Sequence, residues 1–239
     1  MLRRIGATLT SIKQRDPAAR SLWEIALLYP GVRALAFHRI ASAFWRSGFT
    51  FLGRFVSELG RWLSGIEIHP GATIGHRLFI DHGTGVVIGE TAIVGDDVTL
   101  YHGVTLGGIA ATLAQTGRRH PIIEDGVIIG AGAQVLGAIT VGRGARVGAN
   151  AVALKDVPPG VTVVGIPAQV AMPRAAASGA FAAYGACEDL PDPTAKAIYG
   201  LMTEIHKLEQ RLADMERERT AADPAPRKTE LRPVFGPEG

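Results

Sequence analysis

The sequence contains one cysteine, Cys187, in 239 residues, and no apolar run of about 18 residues. A single cysteine excludes a disulfide within the chain and fits a reducing compartment. Without an apolar run of that length we expect no membrane-spanning helix. The start, MLRRIGATLTSI, also lacks the apolar core of a signal peptide. We therefore expect a cytoplasmic protein with no membrane partner.

Positive charge is concentrated in residues 1–64, which carry ten Lys and Arg against three Asp and Glu, whereas the whole chain has a net charge of +3. Such a region can meet nucleic acid, lipid or an acidic substrate. Its basic residues are scattered and form no nucleic-acid-binding motif. We interpret them as solvated helix faces and expect no nucleic-acid partner.

Residues 1–64 have the apolar spacing of short amphipathic helices. Asp16 followed by Pro17 is typical of an N-cap and a first helical position. Tyr29-Pro30-Gly31 breaks the first apolar stretch, and Gly48 ends the second. Helices this short need a surface to pack against, so we expect an N-terminal helical region attached to a larger domain.

A six-residue period predicts the architecture of residues 65–172. A period of six fits neither a helix, at 3.6, nor a strand, at 2. It fits a triangular coil of three short strands, in which every sixth side chain points inward and stacks on the coil below. Glycine, with 30 copies, suits the tight corners. The period appears in two runs: Ile68, Ile74, Ile80, Val86, Ala92, Val98 and Val104, then Ile123, Ile129, Val135, Val141, Val147 and Ala153.

Residues 105–122 interrupt the period, and we interpret them as an excursion loop from the β-helix. Each coil of such a solenoid contacts only its neighbours, so an excursion is tolerated. Loops of this kind are often functional.

Residues 173–220 are predicted to form a linker and a C-terminal helix. Its apolar residues follow the 3-4-3-4-3 spacing of a heptad seam: Ile198, Leu201, Ile205, Leu208, Leu212 and Met215. The seam fits either a short coiled coil within an oligomer or a helix lying on its own β-helix. Residues 221–239 are Pro-rich and charged, and we expect them to be disordered.

Several histidines fall in or beside the repeats, namely His69, His76, His82, His102 and His120. Three histidines can bind zinc, as in a γ-class carbonic anhydrase on the same scaffold. His82 and His102 are 20 residues apart, which places them about one 18-residue coil apart with a two-residue offset. This spacing disfavours the zinc hypothesis, and we expect no metal.

Three polar motifs resemble those of the serine O-acetyltransferases: Glu67-Ile68-His69-Pro70, Asp81-His82-Gly83-Thr84-Gly85 and Arg118-Arg119-His120-Pro121. The resemblance covers about residues 15–170 and extends to segments 89–91, 104–108, 129–133 and 165–168. Other hexapeptide acetyltransferases share the repeats but lack the Asp-His-Gly-Thr-Gly and Arg-His-Pro pair. The resemblance implies an α+β chain whose parallel β-helix is left-handed, with helices before and after it.

The same resemblance implies transfer of acetyl from acetyl-CoA to the L-serine hydroxyl, giving O-acetyl-L-serine and CoA for cysteine biosynthesis. His82 would be the general base, because a serine hydroxyl is a poor nucleophile at neutral pH. Glu67 would orient its imidazole; many family members have Asp there. The family pattern also assigns substrate-binding roles to four residues: Asp16 and Asp81 for the ammonium, and Arg119 and His120 for the carboxylate.

The family pattern implies that acetyl-CoA lies along the groove between adjacent subunits, as co-substrate. Candidate contacts are the backbone near Gly107, Gly108, Ala131 and Gly132, where small residues permit close approach, and Arg146 for a phosphate. An active site between subunits requires a homotrimer. Members that form hexamers pair through a longer N-terminal helical region, so we predict a trimer rather than a hexamer.

The resemblance also bears on regulation. L-cysteine inhibits many family members at the serine site and is a candidate feedback inhibitor here. Many members bind O-acetylserine sulfhydrylase through a C-terminal isoleucine. This chain ends Phe235-Gly236-Pro237-Glu238-Gly239, so that partnership is not expected.

Three other functions remain open from the sequence. A related acetyltransferase could use homoserine or a sugar as acceptor, a γ-class carbonic anhydrase would hold zinc, and a solenoid could serve assembly alone. Asp16, Asp81 and Arg119 favour an amino-acid acceptor over a sugar, because an amino acid carries two charges to match.

Overall fold

The structure is a computed structural model, and it describes residues 2–109, 117–171 and 193–222. Cys187, most of the predicted linker, the middle of the excursion and nearly all of the predicted tail lie outside the described residues. None of the helices within the described ranges is long and apolar enough to cross a membrane.

Four helices precede the strands: α1 (Leu2–Arg15), α2 (Leu22–Leu28), α3 (Pro30–Arg46) and α4 (Thr50–Ser64). The N-cap of α2 is Ser21, whose Oγ accepts the N–H of Glu24 at 3.1 Å. The prediction that Asp16 is an N-cap was wrong, because Asp16 follows the end of α1. Its Oδ1 accepts the N–H of Ala18 at 2.8 Å. That bond closes a turn. Aspartate is favoured both in such turns and at helix N-caps, so the sequence alone does not distinguish the two.

Fifteen short strands follow within the described residues. The first seven precede the excursion: β1 (Glu67–Ile68), β2 (Thr73–Ile74), β3 (Phe79–Ile80), β4 (Val87–Ile88), β5 (Ile93–Val94), β6 (Thr99–Leu100) and β7 (Thr105–Gly107). The other eight come after it: β8 (Ile122–Ile123), β9 (Ile128–Ile129), β10 (Gln134–Leu136), β11 (Thr140–Val141), β12 (Arg146–Val147), β13 (Val152–Ala153), β14 (Thr162–Val164) and β15 (Gln169–Val170). Residues 105–107 are thus strand, and the excursion is shorter than predicted.

From β1 to β13 each strand pairs with the third strand along the chain, which confirms the parallel β-helix. Sheet A contains β1, β4, β7, β10 and β13; sheet B contains β2, β5, β8 and β11; sheet C contains β3, β6, β9, β12, β14 and β15. All ladders are parallel except β14 with β15. The corners between strands stack into edges. We call residues 81–86, 101–104, 130–133 and 148–151 the C–A edge, and residues 69–72, 89–92, 108–109, 117–121 and 137–139 the A–B edge.

The strict six-residue period fails at the corner between β3 and β4. Ile68 lies beside Ile88, 20 residues on, and not beside Val86, whereas Ile123 lies beside Val141, 18 residues on. The first coil therefore has two extra residues between β3 and β4. At that corner the predicted first run changes from one series of buried side chains to another, and the sequence does not show the change because both series are aliphatic. The series that starts at Ile68 continues through Ile88, Val94, Leu100 and Leu106. The predicted run instead continued through Val86, Ala92, Val98 and Val104.

Arg15, the last residue of α1, anchors that helix to the β-helix. Its Nη1 donates to the carbonyl oxygens of Asp97 at 3.1 Å and Val98 at 3.2 Å, and its Nη2 donates to the carbonyl of Arg77. The guanidinium also lies over the Phe79 ring, 5.4 Å from its centroid. These bonds fix where the chain leaves α1, immediately before Asp16.

Residues 194–222 of the C-terminal helix α5 (Pro193–Ala222) belong to a second unit, separate from residues 1–193. The six side chains of the predicted heptad seam are all more than half exposed on it. Both readings of the seam, as a coiled coil or as a helix on its own β-helix, stay predictions.

Burial makes His38, on α3, sensitive to acid. The side chain is 6% exposed, and its Nδ1 lacks a hydrogen-bond partner among the described residues. Burial, followed by the charges of Arg46 and Arg39, lowers the pKa of His38 to about 4. The unfolded chain binds this proton near pH 6.5. Acidification from pH 6.5 to pH 4 therefore protonates the unfolded state first and lowers the free energy of unfolding.

We predict that His38→Leu removes about 2 kcal/mol of the stability that the protein loses between pH 7 and pH 5. Urea unfolding at the two pH values measures the difference. His76→Leu, which removes an exposed histidine, should leave the loss unchanged. An equal loss in the His38 variant would contradict the assignment.

Candidate active site

A cleft of about 360 Å³ lies where the helical region meets the C–A edge. Asp81 and His82 line it from the corner after β3, which is the corner with two extra residues. Asp16 and Tyr29 line it from the helical side. The structure thus brings together three of the predicted site residues, Asp16, Asp81 and His82.

The backbone of His82 has a φ of +57°, in the left-handed region that non-glycine residues rarely adopt. Such residues are often found at functional sites. Its side chain is 60% exposed, and its Nε2 lies 3.9 Å from Asp81 Oδ1. The imidazole is therefore held at the mouth of the cleft, within reach of a bound molecule.

The cleft is acidic. Burial raises the pKa of Asp81, and the negative charge of Asp16 raises it further, while His82 acts in the opposite direction. Two carboxylates facing one small space repel each other. A cation placed between Asp16 and Asp81 would relieve that repulsion, so the cleft suits an ammonium group.

His82 contacts His102 directly. Their ring centroids are 5.9 Å apart with the planes at 63°. The predicted two-residue offset between these histidines was wrong, because the coil that separates them contains the two extra residues. No group of three or more His, Cys, Asp or Glu side chains that could hold a metal is found among the residues that the structure describes.

Glu67 lies on β1, with its side chain 28% exposed. Its Oε2 is 3.4 Å from Nη1 of Arg61, on α4. The contact fixes the carboxylate with a cation from the helical region. The predicted role of Glu67 in orienting His82 stays a prediction.

Arg119 and His120 lie on the A–B edge, apart from the cleft. The Thr91 N–H donates to His120 Nδ1 at 3.1 Å, and Thr91 Oγ1 accepts the backbone N–H groups of Arg119 and His120. Burial and the charge of Arg119 lower the pKa of His120, so its imidazole is neutral at pH 7. The predicted residues therefore occupy two edges of one chain.

The predicted acetyl-CoA contacts are also divided between the edges. Gly107, at the end of β7, and Gly108 adjoin the A–B edge, and a Cβ on Gly108 would lie 3.0 Å from Arg119 Cγ. Ala131 and Gly132 lie on the C–A edge, one coil above His102. Arg146 is half-buried on β12, in sheet C. Their roles stay predictions.

The sequence did not single out Arg15, Tyr29 or Thr91 as site residues. Tyr29 precedes Pro30 and was interpreted as part of a helix break. Thr91 belongs to the Gly-Glu-Thr segment at 89–91, and that resemblance was the available signal. Arg15 and Tyr29 act through contacts with residues distant in sequence, which no local pattern reveals.

Comparison with known proteins first gives the class. Residues 120–153 match the family model "Bacterial transferase hexapeptide (six repeats)". With the fold and a cleft lined by a histidine and two carboxylates, this defines a hexapeptide-repeat transferase, and its β-helix is left-handed like those of that class.

Curated relatives and solved structures then give the particular family. A serine acetyltransferase of Bacillus pumilus is 48% identical over 87% of this chain and 94% of its own length. One from Helicobacter pylori is 57% identical over 68% and 93%. The Neisseria gonorrhoeae enzyme solved with serine superposes with a TM-score of 0.66 at 41% identity, over 70% of this chain and 67% of that one. The chain belongs to the serine acetyltransferase family.

The absence of a side chain at Gly89 leaves room for the His120 ring. A Cβ at this position would lie 2.0 Å from both Cδ2 and Nε2 of the ring. We predict that Gly89→Ala displaces the ring, raises the pKa of His120 toward 6.5 and lowers the free energy of unfolding by about 1–3 kcal/mol. NMR titration of the imidazole and urea unfolding measure both effects.

Gly6→Ala is the matched control, because a Cβ at Gly6, on α1, meets no atom within 4 Å. It should leave the titration of His120 unchanged. An unshifted His120 in Gly89→Ala would show that the ring does not depend on this space.

Proposed function

We propose that this protein transfers the acetyl group of acetyl-CoA to the hydroxyl of L-serine, giving O-acetyl-L-serine and CoA. The cleft that holds Asp16, Asp81 and His82 together carries the proposal. It combines a base with two carboxylates, and the substrate has a hydroxyl beside an ammonium group. Family membership supports the same activity.

His82 is the proposed general base. Its imidazole takes the proton from the serine hydroxyl while the oxygen attacks the thioester carbonyl carbon. The C–S bond then breaks, and the CoA thiolate receives the proton from the imidazolium. Glu67 would hold the imidazole in its productive orientation, as the carboxylate of a triad does. No metal is needed for these proton transfers.

Charge complementarity selects the acceptor. Asp16 and Asp81 bind the ammonium, and its positive charge offsets the repulsion between them. Arg119 and His120 bind the carboxylate, for which a guanidinium offers two parallel hydrogen bonds. A sugar carries neither charge and leaves both sets unpaired, so it is a poor acceptor for this site.

Acetyl-CoA is the proposed co-substrate, in the groove beside His82. Backbone groups at Gly107, Gly108, Ala131 and Gly132 would pair with the pantetheine amides, and Arg146 with a phosphate. A Brucella abortus serine acetyltransferase solved with Coenzyme A superposes on this chain with a TM-score of 0.67 at 39% identity, over 70% of this chain and 66% of that one.

The active form is proposed to be a homotrimer with its sites between subunits. The base and ammonium site lies on the C–A edge, and Arg119 with His120 lies on the A–B edge, and both edges flank sheet A. A head-to-tail contact between these edges closes into a ring in which each site takes its C–A half from one subunit and its A–B half from the next. A hexamer would add a second contact, between trimers.

The face of α4 supports assembly. Its small residues, Gly53 and Gly60, are buried against α3, whereas Phe51, Phe55 and Trp62 are 84%, 59% and 81% exposed. Large apolar side chains on one stripe of a helix mark an interaction surface. A second copy of the chain is the proposed cover.

L-cysteine is a proposed inhibitor. It carries the same ammonium and carboxylate as L-serine, so both charged sets of the site accept it. A serine acetyltransferase solved as a complex with cysteine superposes with a TM-score of 0.67 at 37% identity, over 70% of this chain and 68% of that one.

We predict that His82→Ala lowers kcat for L-serine by about 10²–10⁴, the usual contribution of a general base. Thiol release from acetyl-CoA measures the rate, with L-serine, L-homoserine and a sugar as acceptors. In the wild type, L-serine should exceed L-homoserine by about 10-fold or more, because one methylene misplaces the hydroxyl. The sugar should give no thiol release.

His76→Ala removes an exposed histidine at the corner between β2 and β3 and should retain the wild-type rate. A wild-type rate in His82→Ala would remove this residue from the mechanism. A preference for L-homoserine or a sugar would replace the proposed acceptor.

The site between subunits is tested by mixing two impaired variants, assayed at an L-serine concentration well below the raised KM of Arg119→Ala. His82→Ala lacks the C–A half of each site, and Arg119→Ala lacks the A–B half. Refolded together in equal amounts, they should recover about a quarter of wild-type activity, because one interface in four combines two intact halves. No recovery in trimers shown by mass to be mixed would place both halves in one subunit.

A further inference from the structure

Tyr29 joins the helical region to the candidate active site. It lies between α2 and α3, and its ring packs against the small apolar cluster of Ile12, Ile25 and Phe79. Its hydroxyl donates to Asp16 Oδ2 at 2.5 Å. Tyr29 also lines the acidic cleft, so a polar atom of a packed side chain reaches the place where the substrate ammonium is proposed to bind.

The bond from Tyr29 completes the fixation of the Asp16 carboxylate. Oδ1 already accepts the N–H of Ala18, so each oxygen has one donor from the protein. An ionised carboxylate has about four acceptor positions. Two therefore remain for a ligand, and the carboxylate cannot rotate without breaking a charge-assisted bond.

The backbone on which Asp16 sits is fixed separately. Arg15 anchors the end of α1 to carbonyl groups of the β-helix, as described above. Arg15 therefore fixes the backbone position of Asp16, and Tyr29 fixes the orientation of its carboxylate.

The phenol keeps its proton across the useful pH range. Burial raises the pKa of Tyr29, and its hydrogen bond to Asp16 and the charges of Asp16, Glu24 and Asp81 raise it further. Tyr29 thus remains a donor to Asp16.

We propose that Tyr29 is a positioning residue for serine binding, which holds the Asp16 carboxylate toward the substrate ammonium. The inference rests on the proposed function. Because Tyr29 acts on binding and not on the reacting atoms, its loss should affect KM for L-serine and leave the chemical step alone.

The test is a double-mutant cycle of Tyr29→Phe and Asp16→Asn, read as KM and kcat for L-serine at saturating acetyl-CoA. Tyr29→Phe should raise KM for L-serine about tenfold, the usual order for a hydrogen bond to a charged group. Its kcat and its KM for acetyl-CoA should stay within about twofold of the wild type. In the Asp16→Asn background, Tyr29→Phe should change KM by less than about twofold.

Ser21→Ala controls for general loss of stability. It deletes a hydroxyl that caps α2, and it should lower the Tm while leaving KM for L-serine unchanged. Phenylalanine keeps the ring that packs against Ile12, Ile25 and Phe79, so Tyr29→Phe should unfold close to the wild-type Tm. The rise in Tm caused by added L-serine should be smaller in Tyr29→Phe than in the wild type, which gives a second measure of binding.

Two results would overturn the inference. One is a wild-type KM in Tyr29→Phe, and the other is an undiminished effect of Tyr29→Phe in the Asp16→Asn background. Either result, with an active wild type, removes Tyr29 and leaves the proposed function standing. A wild type that releases no thiol with L-serine removes both.

Discussion

Stacking of aliphatic side chains from coil to coil is the interaction on which this structure depends. In sheet A, Ile68, Ile88, Leu106, Val135 and Ala153 lie one above another in a parallel ladder. Each strand has only two or three residues, so no strand could persist alone. The buried column of side chains and the backbone ladder therefore support each other, and together they set the positions of the corners between strands.

The period of six predicted this architecture because the repeat itself requires it. It did not reveal the corner with two extra residues, since Val86 and Ile88 are both aliphatic and both buried. The N-cap signal at Asp16 was also misleading. An aspartate that accepts a nearby backbone N–H can either cap a helix or close a turn, and here it closes a turn. His82 and Asp81 could be found from sequence through family resemblance. Their meeting with Asp16 depends on Arg15, whose partners lie more than 60 residues away.

The two edges of the prism carry different halves of the chemistry. The C–A edge, with the helical region, holds the proposed base and two carboxylates, and the A–B edge holds a guanidinium and a neutral imidazole. Opposite charges on separate edges of one chain cannot neutralise each other at close range. In the proposed trimer they would complement the next copy and the zwitterionic substrate, so the charges that would bind serine would also favour the head-to-tail contact.

The two-residue insertion after β3 has a wider meaning for how such a scaffold changes. The added residues lie outside the strand ladder, and the next pair in sheet A, Val87 with Thr105, has a spacing of 18 residues, so the solenoid accommodates new length at a corner while its strands stay in register. Chemistry and framework are thereby separable. A mutation that lengthens or shortens a corner, or replaces its side chains, alters what the edge can bind, while the buried strands keep their pairing.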